Sequence, residues 1–204
     1  MHIILASQSE GRKRLLDSLG ITYQILPSNI DEKAIRHETP EELVKRISEA
    51  KAKAVAEKLN PNEPTIIIAG DVVVAVAFAK ESKKQIRSIK PIILEKPSTK
   101  EEAIKMLSLL SGTTFDVVAG CAVFNTKTKT LTTDADTCSV TFRTLTKEEI
   151  NDYVARCHVT SYAGAFEENG LQRFSAKVNG SPSTIVGLPM QKLIPLLRKE
   201  RVVV

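Results

Sequence analysis

Three stretches of this sequence carry side chains whose types and spacing could do chemistry. In the first, the apolar run Ile3–Ala6 ends in Ser7-Gln8-Ser9, and Gly11, Arg12, Lys13 and Arg14 follow. A strand that feeds a helix this directly presents unpaired N–H groups and a partial positive charge at the helix start, which attract anions. Ser7 and Ser9 add hydroxyl donors, Gly11 lets a ligand approach the backbone, and Arg12 can grip a phosphate with two parallel hydrogen bonds. The same spacing also suits an N-cap serine followed by a solvated basic face. It is not a Walker A loop, because the Gly-Lys-Ser/Thr ending is absent.

The second stretch is Ile68-Ala69-Gly70-Asp71-Val72-Val73-Val74. A carboxylate inside such a run needs solvent, a cation or a metal, because burying it alone is expensive. Asp71 reads either as half of a Gly-Asp hairpin turn or as a base or hard-metal ligand at the edge of a cleft. Asp31-Glu32 offers further carboxylates, which a loop would ordinarily solvate. The third group is cationic. Lys51 lies mid-helix in SEAKAKAVAE, with Lys53 facing elsewhere. Lys96 precedes Pro97, whose ring fixes the local backbone. Arg12, Lys51 and Lys96 would suit three phosphates, although spacing alone does not make them converge.

The elements that must hold these groups are legible in outline. Ile3–Ala6 reads as a buried strand, and residues from Gly11 to Leu19 as a helix stopped by Gly20. Tyr23–Leu26 reads as a second strand. Thr39-Pro40-Glu41-Glu42 starts a helix, with Thr39 as N-cap, Pro40 at N1 and Glu42 closing a capping box, and this helix should run to about Leu59. Thr65–Val76 reads as one buried strand, or as two either side of Gly70-Asp71. Lys80–Lys90 is a basic insertion. Ser98–Glu101 starts a capped helix that ends at Ser111-Gly112. Phe115–Phe124 and Leu131–Leu145 read as long strands, the second alternating through Cys138, Val140 and Phe142. Thr146–Glu149 caps a helix running to about Arg156. Ser161–Gly180 reads as loop and short strand, and a last helix starts at Leu188 or Pro189. Strands and capped helices alternate around an antiparallel middle, which is the pattern of a mixed α/β domain.

Composition narrows the function classes. The chain has 204 residues, 42% hydrophobic and 26% charged, as in ordinary globular proteins. Its formal charge of +5 is mild and spread out, and only 4% of residues are aromatic, with no tryptophan. Both features argue against a nucleic-acid binder. The three cysteines, Cys121, Cys138 and Cys157, form no CxxC pair, so buried reduced thiols are expected rather than a disulfide framework or a zinc site. The most apolar stretch, Thr65–Ala79, is too short to span a bilayer and is interrupted by Asp71. His2 and the very short apolar run after it do not resemble a secretory signal. The expected location is cytoplasmic, with no membrane and no nucleic-acid partner.

Three ordered segments carry a resemblance. They are IILASQSEGRKRLLDSLGI, then AGDVVV followed by ILEKP, then SYAGAFEENG followed by VNGSPSTIVGLP. Together, from Ile3 to Leu197, they resemble the Maf/septum-formation-like nucleoside triphosphate pyrophosphatases. The resemblance implies a Maf/ITPase-like α/β fold, with a mixed sheet and flanking helices, as one domain with two lobes around a deep cleft. It implies a homodimer, and hydrolysis of a nucleoside triphosphate to the monophosphate and pyrophosphate with Mg²⁺, or alternatively Mn²⁺ or Co²⁺. No lobe boundary is visible in composition.

Position by position, Ser7, Ser9 and Arg12 match the family's phosphate-binding motif, and Glu32 its acidic residue after the second strand. Lys51 matches its mid-helix lysine, Lys96 its lysine before proline, and Asp71 the aspartate assigned as proton acceptor. Glu32 and Asp71 would hold the metal. Val72 and Asn169 align with positions that help choose the base. The chain departs from the family at Ser9-Glu10-Gly11-Arg12-Lys13, where Ser-Pro-Arg-Arg or Ser-Pro-Trp-Arg-Arg is usual, and Glu10 should point away from phosphate. It also mixes subgroups: AGAFEENG and STIVGLP look like the 7-methyl-GTP class, ILEKP like the dTTP/UTP class. A nucleotide-binding regulator of cell division with little catalysis is the alternative function, and a basic RNA-binding module a weaker one.

Overall fold

The computed structural model describes residues 2–60, 63–77 and 90–204. Its elements are β1 (His2–Leu5), α1 (Glu10–Asp17), β2 (Gln24–Ile25), α2 (Pro40–Ala56), β3 (Thr65–Val76), β4 (Ile92–Leu94), α3 (Lys100–Leu110), β5 (Thr114–Asn125), β6 (Thr130–Phe142), α4 (Lys147–Arg156), α5 (Glu168–Phe174), β7 (Ser175–Asn179), α6 (Pro182–Val186) and α7 (Met190–Lys199). This is an α/β fold with a mixed sheet and flanking helices. The chain divides into two compact units, one of Met1–Val72, Val118–Thr137 and Ser181–Val204, the other of Val73–Val117 and Cys138–Gly180. Three of the chain's four crossings between them lie inside β3, β5 and β6, where there is no linker for composition to mark, and the fourth at Gly180–Ser181, between β7 and α6.

In the first unit β1 pairs in parallel with both β2 and β3, with Ile4 opposite Gln24 and Ile67. Alternate residues of β1 and β3 feed opposite faces, as the strand period requires. Ile3, Leu5, Ile66 and Ile68 pack with Leu16 of α1 and Leu193, Leu196 and Leu197 of α7. Ile4, Ala6, Ile67 and Ala69 pack with Ala52 and Val55 of α2. With both faces covered, these strands are apolar throughout rather than alternating. That burial fixes α1 and α2 against the ends of β1 and β3, where the candidate residues lie.

In the second unit β4 runs antiparallel on β3, and β7 antiparallel on β6. Its centre is aromatic: Phe142 meets Phe115, Phe166 and Phe174 edge-on, with ring centroids 4.8, 5.1 and 5.7 Å away respectively. The expected α4 capping box is present, Thr146 and Glu149 each accepting from the other's backbone N–H.

Several local expectations need correction. Thr39 does precede α2, but its hydroxyl pairs with His37 Nδ1 instead of capping, and Glu42 turns to Lys45 and Arg46. α2 ends at Ala56, with looser turns carrying the chain on to Leu59. The cap of α3 is Thr99, not Ser98, and Glu102 reaches back to the Ser98 N–H. β3 is one strand straight through Gly70-Asp71, so no hairpin turn exists there. α5 falls within Ser161–Gly180, where only loop and short strand were expected, and α6 falls just after it, where no element was expected. Lys80–Lys90, apart from Lys90, lies outside the described residues.

All three cysteines are free thiols; Cys121 and Cys138 are buried, while Cys157 is only partly so. Burial, helped by the charge of Asp134, pushes the Cys121 thiol up to about 12. Alkylation needs thiolate and access. Iodoacetamide at mildly alkaline pH should therefore modify Cys157 in the folded protein, and Cys121 and Cys138 only after unfolding. Peptide mapping by mass spectrometry reads this, and equal labelling of Cys121 and Cys157 in the folded state would contradict the packing described.

Candidate active site

The turn between β1 and α1 is held at both ends. Ala6 N–H donates to the Ile68 carbonyl at 2.8 Å, which continues the β1–β3 ladder. Ser9 is the N-cap of α1, its hydroxyl accepting from the Arg12 N–H. The Ser7 hydroxyl accepts from Ser9 N–H at 3.2 Å and from Arg12 Nη1 at 3.1 Å. Arg12 Nε donates to the Gly187 carbonyl at 2.8 Å. The guanidinium is thus clamped between a hydroxyl and a carbonyl, with the residue only 8% exposed. Burial lowers its pKa, while Asp71 and Glu32 act in the opposite sense; an arginine remains cationic through such shifts. Among the described residues Nη2 makes no hydrogen bond, and no fully buried side-chain nitrogen or oxygen is left without one. Nη2 is therefore open to a ligand.

The neighbouring residues of the motif have structural duties. Glu10 is exposed and pairs with Lys13 at 2.6 Å. A Cβ on Gly11 would lie 2.6 Å from the Val186 side chain, so Gly11 lets α1 approach α6. The family-unlike residues of this stretch are accounted for by an exposed ion pair and a helix contact.

Asp71 and Lys51 form the second part of the site. Asp71 is 6% exposed and Lys51 4% exposed. Lys51 Nζ donates to Asp71 Oδ1 at 2.8 Å and to the Gly70 carbonyl at 3.4 Å, and forms an ion pair with Glu32 Oε1 at 3.0 Å. Of the three N–H groups of an ammonium, two have hydrogen-bond acceptors, and Glu32 adds a second carboxylate charge beside it. Glu32 is brought in by a short 3₁₀ turn, Glu32–Ala34, capped by Asp31. Asp71 Oδ2 makes no hydrogen bond among the described residues, and by the same accounting it is accessible.

Two glycines make this arrangement possible. A Cβ on Gly120 would sit 2.7 Å from the backbone of Val44 in α2. A Cβ on Gly70 would meet the Gly120 and Gly187 carbonyls at 3.1 and 3.2 Å. The bare strand surface lets α2 lie close enough for Lys51 to reach Asp71. Glu32 and Asp71 also present hard oxygen ligands around one point of positive charge. Among the described residues no group of three or more His, Cys, Asp or Glu could hold a metal. Two carboxylates nevertheless fit Mg²⁺, which commonly takes one or two from protein and the rest from phosphate and water.

The structure brings Ser7, Arg12, Glu32, Lys51 and Asp71 together in the first unit. Ser9 serves as the cap. Val72 is half-buried, with its Cγ1 3.0 Å from where a Gly187 Cβ would stand. Lys96 and Asn169 belong to the second unit, and both are exposed. The sequence reading missed the Gly187 carbonyl as the partner of Arg12. The only signal was the GLP stretch, since a backbone acceptor has no side chain to announce it.

Replacing Gly120 by Ala should force α2 away from the strand, because the atoms in the way are backbone. Overpacking of this kind costs about 1–3 kcal/mol, and Lys51 would lose its reach to Asp71. The variant should melt lower and turn over slowly; unchanged melting by circular dichroism would disprove the close approach.

A family model described as Maf-like protein matches residues 2–200. The 7-methyl-GTP pyrophosphatase of Idiomarina loihiensis is 37% identical over 198 residues, covering 96% of this chain and 93% of the relative. The dTTP/UTP pyrophosphatase of Clostridium perfringens is 35% identical over 199 residues, covering 97% and 96%. Among solved structures, the Staphylococcus aureus Ham1 protein covers 98% of this chain and 100% of its own at a TM-score of 0.46 and 15% identity, and nothing about the site rests on that likeness.

Proposed function

We propose that this chain, which belongs to the Maf-like protein family, is a nucleoside triphosphate pyrophosphatase with Asp71 as its proton acceptor. The reaction is hydrolysis of an acid anhydride, giving a nucleoside monophosphate and pyrophosphate. Relatives of similar identity act on 7-methyl-GTP or on dTTP and UTP, as their names state, and the substrate belongs to one of these classes. The observation that carries the reading is the buried Lys51–Asp71 pair joined by the partly exposed Glu32, with the Arg12 guanidinium close enough to feel both carboxylates.

Asp71 Oδ1 is held by Lys51, which leaves Oδ2 for a water molecule. Water attacks the α-phosphorus, the bond to the β-bridging oxygen breaks, and the water proton passes to the carboxylate. Arg12, presented by Ser7 and Gly187, binds phosphate oxygens through Nη2. Lys51 neutralises the carboxylates, so that an anionic substrate can approach them. Lys96 and Asn169, both exposed, are assigned to the substrate on resemblance alone. A divalent cation, Mg²⁺ before Mn²⁺ or Co²⁺, would be held by Glu32 and Asp71 and would offset charge on the phosphates. Among the described residues no helix is long and apolar enough to cross a membrane.

Asp71→Asn keeps an acceptor for Lys51, so the fold should persist. Turnover should fall roughly a hundredfold or more, the scale of a positioned base. The assay is pyrophosphate release from 7-methyl-GTP, dTTP, UTP and CTP with added Mg²⁺, and chelation should abolish it. Near-normal turnover in a folded Asp71→Asn protein would remove Asp71 from the mechanism. Absence of release from every nucleotide would favour a binding regulator instead.

A further inference from the structure

We propose that Asp136 is a positioning residue for Arg12, acting through Thr184, Gln191 and the Gly187 carbonyl. The inference rests on the reading of Arg12 as a phosphate ligand. Arg12 is aimed by two acceptors, and one of them, Gly187, ends α6. That helix is only Pro182–Val186, too short to hold a position by itself. Something else must fix it.

The fixing point is a carboxylate on β6. Asp136 Oδ2 accepts from the Thr184 hydroxyl and from Gln191 Nε2, both at 2.5 Å. Hydrogen bonds to an ionised acceptor are the strong kind. Thr184 lies mid-way along α6 and is fully buried, and Gln191 is in the first turn of α7. Gln191 Nε2 also donates to Thr184 Oγ1 at 3.1 Å, and its Oε1 accepts from the Ser183 hydroxyl at 3.1 Å. Ser183 Oγ in turn accepts from Met190 N–H at 3.1 Å. The two helices flanking Gly187 are thereby tied to one carboxylate.

The tie passes to Gly187 through backbone. Gly187 N–H donates to the Ser183 and Thr184 carbonyls at 3.2 and 3.1 Å, and Leu188 N–H to Ser183 at 3.1 Å. Gly187 adopts φ 96°, a left-handed conformation that glycine takes without strain. With the N–H side fixed and the dihedral set, the carbonyl points at Arg12 Nε. Asp136, Thr184, Gly187 and Arg12 form a chain of contacts from the sheet to the proposed phosphate ligand, in which Asp136 need never touch substrate.

The test is a double-mutant cycle on KM and kcat for pyrophosphate release, with Asp136→Ala, Arg12→Ala and the pair. Asp136→Ala should raise KM roughly tenfold, the scale of a lost charge-assisted contact, with kcat changed less than about threefold. In the Arg12→Ala background it should add less than about twofold. Asp136→Asn keeps an acceptor and should restore KM to within roughly threefold of the parent. If Asp136→Ala does not fold, Gln191→Ala, on an exposed side chain, takes its place in the cycle with a smaller KM increase that also vanishes without Arg12. An unchanged KM in Arg12→Ala would overturn the role of Arg12 and this inference with it. A raised KM in Arg12→Ala beside an unchanged KM in the Asp136 or Gln191 variant overturns the positioning role alone. So does an equal factor with and without Arg12, or a pure loss of kcat.

Discussion

The Lys51 ammonium is the constraint on which the site depends. At 4% exposure its charge is costly to bury without anions, and the charge of Asp71, inside a valine-rich strand, is costly to bury without a cation. Each is the condition for burying the other. Glu32 and the Gly70 carbonyl complete the coordination. Breaking such a cluster by removing one member leaves an uncompensated buried charge, which is far costlier than the pair is stabilising. The helix, the strand and the 3₁₀ turn that supply these groups are therefore locked in register, and Gly70 and Gly120 exist as bare backbone so that the lock can close.

Charge balance explains what such a site lacks. Asp71 and Glu32 are offset by Lys51 and Arg12, so the four formal charges cancel. A neutral cluster has no surplus attraction for a triphosphate. The positive charge that would hold so anionic a molecule has to come with it, and the two carboxylates are the groups that would receive it. This is the electrostatic argument for the divalent cation in the proposed reaction, since Mg²⁺ commonly takes only one or two carboxylates from protein.

How much of this could be read from sequence depends on the kind of signal each part leaves. Long apolar strands and a capping box closed by Thr146 and Glu149 are local and were legible. The Thr39 box failed because a nearby histidine offered the hydroxyl another partner. Gly70-Asp71 read as a possible turn, but this glycine is there for close packing, which the neighbouring Leu188 side chain and Gly120 and Gly187 carbonyls reveal. α5 and α6 are seven and five residues long, too short to show a helical period. In the site, Glu32, Lys51 and Asp71 lie far apart in the chain, and only resemblance gathered them. Gly187 left no trace, since its contribution is a carbonyl oxygen.

The structure also divides the cations that sequence treated alike. Lys51 donates to Asp71 and the Gly70 carbonyl and pairs with Glu32, so its charge is already met by two carboxylates. Arg12 is held by neutral groups, a hydroxyl and a carbonyl, which fix its direction, and Nη2 makes no hydrogen bond among the described residues. A guanidinium aimed by neutral acceptors suits anion binding; an ammonium enclosed by carboxylates suits holding a base in place. The two residues are thus not interchangeable members of one basic patch, and Arg12 is the one proposed to meet a phosphate.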